Sequence, residues 1–362
     1  MVENGLENEF TDDKWLQKVF HDDKEVLWPR EAGEFVAKTT KIVKINNEKV
    51  DEVAKLIYDE AKKGALEKTE FHDHELHPNY EDPERTARWV FFVDTINFCF
   101  WYGHDGNVEY NGKNYSGYYF GAACLKRALD NYNIDVTDPN VMITLDEKKF
   151  GELFRGKLPI GLSALRARAV VEAGRVLLQK YDGKVLNLLK SANGSAQSLV
   201  KILVRDFKSY RDSCVYKGKR LMILKRAQIF TADVYSALKG NSKTNVANFR
   251  DIDSLTMFAD YRVPQILCHL GVLEYSKQLQ NILKRFSPIR KGSATETAIR
   301  AVSIHACDKL TKKVIELEKE HGKLSKPVTD ADIDVFLWLK RREIAEEVEK
   351  TTSHHRVITW FY

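Results

Sequence analysis

Residues 89–101, WVFFVDTINFCFW, constrain this chain more than any other stretch. The run falls short of the roughly 20 apolar residues that cross a bilayer, and it carries Asp94 and Asn97. It is apolar nearly all round, so it reads as a helix that other elements must surround. Asp82 and Pro83 supply its start, a capping carboxylate followed by a proline whose fixed φ suits a first helical position, and one helix is expected over 83–101. The chain has 362 residues, 43% hydrophobic and 11% aromatic, enough to enclose such a helix in one large domain or two smaller ones.

Helical periodicity dominates the remainder. Val50, Val53, Ala54 and Ile57 recur at helical spacing behind Asn47, which can cap them, and Gly64 is placed to end that helix. Further starts stand at Ser116 before 118–131, at Ser163 before 164–181 and at Ser195 before 196–207, with Gly183 closing the second. Ser293 with Glu296 forms a capping box for 295–320, and Thr329 can cap 330–350. Residues 215–224, two short apolar pieces around Lys217-Gly218-Lys219, read as a hairpin ahead of a helix over 225–239. Because Val263 precedes Pro264, 260–263 is expected to be extended, with a helix over 264–269, a turn at Gly271 and a second helix over 275–286. The expectation is a mainly α protein with a minor β element: one α-rich domain over 26–362 behind a flexible acidic segment, 1–25.

That segment, with Asp12, Asp13, Asp22 and Asp23, has neither the basic start nor the apolar block of a secretory signal. The cysteines, Cys99, Cys124, Cys214, Cys268 and Cys307, are odd in number, scattered and never in a C-x-x-C pair. This argues against a disulfide framework or a zinc ribbon and for a reducing compartment, so a cytoplasmic location is expected. With 57 basic and 52 acidic residues the net charge is only +5, which suits a small anionic ligand better than a nucleic acid, whose partners favour a broad basic stripe. Neither direct nucleic-acid contact nor membrane attachment is expected.

The common nucleotide, serine-hydrolase and metalloprotease motifs are absent. The sharpest local signal is Phe258-Ala259-Asp260-Tyr261-Arg262-Val263-Pro264-Gln265. Asp260 there is either a catalytic carboxylate held by proline-constrained backbone, or a residue that pairs with Arg262 or caps the next helix. His72, His74 and His77, interleaved with Asp73 and Glu75, are ligand types that suit zinc or iron, but their spacing fits no metal signature; a base-contacting or structural histidine is expected, and no metal. Lys219, Arg220, Lys225 and Arg226 flank a short strand, where they can converge on a phosphate or simply be solvated. Asp94 and Asn97, three apart on the apolar helix, either touch a ligand or support an internal hydrogen-bond network. Asp334 and Trp338, four apart, share a helix face, offering an acceptor beside an aromatic plane on which a base can stack, or merely packing the core.

These residues belong to a longer series: Pro29-Arg30-Glu31, His74-Glu75-Leu76, Asp94-Thr95-Ile96-Asn97-Phe98, Tyr115-Ser116-Gly117-Tyr118, Ser195-Ala196-Gln197, Ser209-Tyr210-Arg211-Asp212, Lys225-Arg226-Ala227-Gln228, the 258–265 motif and His355-Arg356. In this order the sequence resembles the queuosine salvage family, described as queuosine 5'-phosphate N-glycosylase/hydrolases. The resemblance implies a helical fold akin to helix-hairpin-helix DNA glycosylases. It also implies cofactor-free hydrolysis of the N-glycosidic bond of queuosine 5'-phosphate, releasing queuine for tRNA modification. By motif it makes Asp260 the nucleophile or the anion that stabilises an oxocarbenium-like ribose centre. Phe258 then packs against the base, His74 and Asp334 contact the queuine moiety and Lys225 binds the 5'-phosphate, while Tyr261, Arg262, Asn97 and Trp338 complete the candidate set. The sequence departs from the family at Leu339-Lys340, where Asp-Tyr usually follows Leu337-Trp338, and at Val335, where the family tends to have an aromatic. Two other readings stay open, a nucleic-acid glycosylase or binding module and a non-catalytic queuine-binding protein.

Overall fold

The computed structural model describes residues 25–67, 71, 74–78, 80–103 and 106–362, so the acidic segment expected over 1–25 lies outside them except for Glu25. The described chain is mostly helical with small sheets, as the periodicity predicts. β1 (Val26–Leu27), α1 (Pro29–Thr39), β2 (Val43–Ile45) and α2 (Asn47–Ala61) precede α3 (Pro83–Thr95) and the hairpin of β3 (Val108–Tyr110) with β4 (Lys113–Tyr115). Next come α4 (Tyr118–Tyr132), α5 (Pro139–Met142), α6 (Glu147–Leu153), α7 (Ser163–Lys180), α8 (Val185–Ser191) and α9 (Ala196–Asp206). A second hairpin, β5 (Ser213–Tyr216) and β6 (Lys219–Met222), leads into α10 (Lys225–Leu238), α11 (Arg262–His269), β7 (Leu273–Tyr275) and α12 (Lys277–Lys284). The last helices are α13 (Ala294–His321), α14 (Asp330–Glu343) and α15 (Ala345–Thr351). No described helix is long and apolar enough to cross a membrane.

The chain forms two compact units. The first draws on the chain before residue 70, on Asp212–Lys225 and on Asp253–Thr359; the second on Glu70–Arg211, Arg226–Ile252 and Trp360–Tyr362.

The spine of the first unit is α13, whose N-terminal half is buried and packs chiefly against α1 and α2. Ser293 caps it, accepting from the Glu296 N–H at 3.3 Å, but the Glu296 carboxylate returns to Gly292 N, so the serine half of the expected capping box forms and the glutamate half is displaced by one residue. The close approach of α1 needs Gly33, because a Cβ there would stand 2.9 Å from the Ala301 carbonyl oxygen. Around this spine β1 runs parallel to β6, β5 antiparallel to β6, and β2 antiparallel to β7. The β5–β6 turn is the expected hairpin, with Lys217 at φ 49° and Gly218 at φ 79°, the two left-handed residues that a two-residue loop uses.

Several boundaries in this unit differ from expectation. Asn46, not Asn47, caps α2, accepting from Lys49 N at 3.2 Å. α11 begins at Arg262 rather than Pro264: a proline in the first helical turn lacks only an N–H that would have no intrahelical partner, so the helix runs back through Val263. The short turn expected after it contains β7, which pairs with β2, and Gly271 at φ +77° starts the bend. The single helix expected over 330–350 breaks at Ile344 into α14 and α15. Residues eight apart in a continuous helix lie about 12 Å apart along its axis; the break lets Glu349 fold back to accept from Arg341.

The second unit is built on α3. Trp89, Val90, Phe91, Phe92 and Val93 are all at most 2% exposed, and Phe91 meets Phe207 and Phe230 edge-on at 5.4 and 5.3 Å. Burying each such side chain contributes about 1.5–3 kcal/mol. Asp82 caps α3 as expected, accepting from Glu84 N at 3.0 Å, but the helix ends at Thr95 instead of Trp101. The reason is two buried arginines. Arg226 donates to the Thr95 carbonyl and Arg166 to those of Ile96 and Phe98, replacing the next helical turn, and Cys99 turns the chain at φ 45°. All five cysteines are free thiols.

Candidate functional site

Asp260 sits in the first unit, at the head of α11. Its Oδ1 accepts from the backbone N–H groups of Arg262 at 2.8 Å and Val263 at 2.9 Å, so the carboxylate caps the helix it precedes. Both readings of this residue therefore meet in one geometry: it is a cap, and capping immobilises it. No hydrogen bond from the described residues reaches Oδ2. Burial raises the carboxyl above the usual aspartate value, and the Lys225 ammonium, the two N–H groups and Arg262 oppose that push.

Asp334, on α14, is the second carboxylate. It is buried and accepts from Phe258 N at 3.0 Å. Burial and then the charge of Asp260 lift it well above the usual value, against the Phe258 N–H and Lys225. Of the pair, Asp334 thus holds its proton to higher pH. Lys225, the first residue of α10, is 5% exposed and acts electrostatically on both. Phe258 is 2% exposed, and its carbonyl accepts from Asp260 N at 2.6 Å, closing a tight turn that points the intervening Ala259 carbonyl elsewhere.

That carbonyl goes to Arg300, whose Nε donates to it at 2.8 Å. Arg300 also grips Asp212 with both Nη atoms, at 2.9 and 2.6 Å, and Asp212 Oδ2 accepts from Lys225 N at 3.0 Å. Sequence reasoning gave Arg300 no role. The available signal was a lone arginine within the apolar run Ala298-Ile299-Arg300-Ala301-Val302, which a folded chain must pair.

Tyr261 and Arg262 turn toward the C-terminal segment. Tyr261 tilts over His354 at 5.2 Å, and Arg262 donates to Glu349 at 2.6 Å and to Gln265 at 3.0 Å. Burial and neighbouring cations push the imidazoles of His354 and His355 down to about 2 and about 3. Trp338, half-buried on α14, carries the Arg342 guanidinium over its ring at 5.1 Å. Lys219 lies over Phe35 at 5.8 Å and Arg220 donates to Ser213 at 3.3 Å. Arg226 is committed to backbone carbonyls in the second unit, so the four cations do not gather as one cluster. Arg30, another of the matching landmarks, pairs with Asp308 and, at 2.9 Å, with Asp330, tying α1 to α13 and α14.

His74 and Asn97 belong to the second unit. His74 stacks on Tyr119, ring centroids 3.8 Å apart and planes 11° from parallel. Beside it His77 stacks on Phe71 at 4.2 Å; its Nδ1 faces the Phe71 carbonyl at 2.5 Å and its Nε2 the Tyr118 hydroxyl at 3.0 Å. This assigns Nδ1–H as the donor and Nε2 as the acceptor from Tyr118. His72 and Asp73 lie outside the described residues, and the described ones hold no group of three metal-ligating side chains. Asn97 donates to Asp94 Oδ1 at 3.1 Å, the internal network that sequence reasoning set beside a ligand contact.

The structure thus brings Asp260, Phe258, Asp334 and Lys225 into one unit and places His74 in the other. Over residues 76–362 the sequence matches the family described as queuosine salvage protein. A mouse protein named queuosine 5'-phosphate N-glycosylase/hydrolase is 35% identical over 341 residues, covering 93% of this chain and 99% of its own. Proteins of the same name from Bos taurus and the bacterium Sphaerobacter thermophilus are 36% and 34% identical, covering 91% and 77% of this chain and 97% and 82% of theirs.

Proposed function

Because the chain belongs to the queuosine salvage protein family, we propose that it hydrolyses the N-glycosidic bond of queuosine 5'-phosphate and releases queuine for salvage into tRNA. The observation that carries the reading is a carboxylate fixed by two backbone N–H groups, with a lysine ammonium acting on it.

In this reaction the bond between ribose C1' and the base nitrogen breaks with its electron pair leaving on the base. Positive charge develops at C1', and Asp260, already immobile, stabilises it at no cost of reorganisation in the transition state. Water supplies the oxygen that ends on C1', one of its protons balances the departing base, and ribose 5-phosphate is the second product. Asp260 either bonds to C1' before water displaces it or stabilises the cation while water attacks, a duality shared by carboxylate glycosidases. Lys225 binds the 5'-phosphate, Phe258 packs against the base, and Asp334 contacts the queuine moiety. His74, on its stacked aromatic platform, is the other residue proposed to contact queuine. The reading takes 26–362 as one functional domain, cytoplasmic, acting on a free nucleotide rather than on nucleic acid or a membrane-bound substrate. The near balance of 57 basic and 52 acidic residues supports a small anionic substrate.

The test is queuine release from queuosine 5'-phosphate by wild type and Asp260→Asn, followed by chromatography with mass detection. The asparagine Oδ1 still caps α11, so the variant is expected to fold and to lose about 100-fold or more of the activity. Equal release by the two proteins overturns the role of Asp260, and no release by wild type overturns the hydrolase reading.

A further inference from the structure

Asp212 and Arg300 form a buried ion pair with both side chains 4% exposed. Burying such a pair stabilises little relative to apolar residues of similar volume, because desolvation offsets the attraction, so stability alone does not explain this one. What separates it from the two most deeply buried arginines, Arg166 and Arg226, is where its remaining hydrogen bonds go. Arg166 and Arg226 donate to carbonyls that end α3. Arg300 Nε instead holds the Ala259 carbonyl at 2.8 Å, immediately before Asp260. On the other side Asp212 Oδ2 holds Lys225 N at 3.0 Å, and the Asp212 carbonyl accepts from Ile223 N and Leu224 N at 3.0 and 3.1 Å, closing the hairpin beneath Lys225. Leu224 at φ 57° makes the sharp turn that this closure needs. Glu296, 3.7 Å from Arg300, buried His355 and the Cys214 thiol also face the pair.

We propose that Asp212 and Arg300 are positioning residues, a rigid bracket that sets the Lys225 ammonium against the Asp260 carboxylate. The proposal rests on the hydrolase reading above. A guanidinium fork is suited to the task because its three nitrogens are coplanar and locked, so the two ends of the bracket cannot drift independently. A bracket of this kind affects both substrate grip and chemistry. A shift of Lys225 loosens the hold on phosphate and also removes positive charge from beside Asp260, whose other charged neighbours are Arg262, Asp334 and Arg341.

The experiment compares wild type, Arg300→Lys and Asp212→Asn as full-length proteins. It reads kcat and KM for queuine release across pH, ribose 5-phosphate affinity by calorimetry, and Tm. Arg300→Lys keeps the charge and loses the fork; Asp212→Asn keeps an acceptor for Lys225 N and loses the charge, so it also serves if the lysine variant does not fold. The expected result is a fall in kcat/KM of about 10–100-fold, with raised KM, weakened ribose 5-phosphate binding and an acid limb moved to higher pH. Wild-type kcat, KM, acid limb and ribose 5-phosphate affinity in both variants, whatever the Tm, would overturn the bracket. If wild type releases no queuine, the hydrolase reading fails by itself. The affinity arm still decides the bracket, which is rejected if wild type binds no ribose 5-phosphate or if both variants bind it equally well.

Discussion

In the proposed reaction Asp260 performs two tasks with two oxygens. Oδ1 is committed to the Arg262 and Val263 N–H groups, which leaves Oδ2 as the oxygen available to a ribose cation. Its reactive form is the anion, and burial raises its carboxyl, so activity is expected to fall as pH drops through a value above the usual aspartate range of about 3.9. A kcat/KM profile whose acid limb lies at or below that range would contradict the burial argument. Asp334 supplies a second test. Its proton is retained in the folded protein to a pH where the unfolded chain has long lost it, so the folded state binds more protons and loses stability as pH rises. Asp334→Asn removes that penalty and preserves the acceptor for Phe258 N, and its Tm at neutral pH is expected to match or exceed wild type while queuine release falls, a trade of function against stability. The places of Asp260 and Lys225 at the heads of α11 and α10 were legible in sequence because their motifs are compact and proline or strand boundaries fix them. Arg300 was not, since a charged residue within a helix reads as surface until its partner, 88 residues away, is seen.

Four helix starts set locally were read correctly, whereas Asn46 and not Asn47 caps α2, and α4 and α7 follow Gly117 and Leu162 with no capping bond from Ser116 or Ser163. Asp82, Ser195, Ser293 and Thr329 each accept from an N–H two or three residues on, a bond that the sequence alone specifies. Ends set by distant side chains were not. α3 stops because Arg166 and Arg226 reach its last carbonyls from 70 and 131 residues away, and α14 breaks where Glu349 returns to Arg341. Arg166→Met should therefore leave several buried carbonyls without donors and destabilise the protein by about 3 kcal/mol or more, read as a drop in the urea midpoint. Gly33→Ala tests the packing of α1 on α13: with the Ala301 oxygen 2.9 Å from the new Cβ, the helices must separate, at about 1–3 kcal/mol. A Gly33→Ala midpoint equal to wild type would mean that α1 yields without cost.

For the whole molecule, buried ionisable groups set how stability varies with pH. His354 and His355 stay neutral in the fold down to about pH 2 and 3, whereas in the unfolded chain they take up protons below about 6.5. Between those values the unfolded state binds more protons, so stability falls with falling pH by up to about 1.4 kcal/mol per pH unit for each histidine. Asp334 has the opposite slope from about 3.9, its unfolded value, upward and so offsets part of this loss, and Tm plotted against pH should fall as pH drops below 6.5 and most steeply below about 3.9. Replacing His355 by Phe should flatten the acid side; an unchanged slope would place the acid sensitivity elsewhere. The order of segments carries a last consequence. The chain enters the first unit, leaves it after residue 69, returns for Asp212–Lys225, leaves again and comes back at Asp253. No single cut in the polypeptide yields a fragment that contains all of one unit and none of the other. Such a protein is not a pair of modules joined end to end. It cannot be shortened to half its length and keep one working part, and its gene cannot be shuffled at one junction without damaging both.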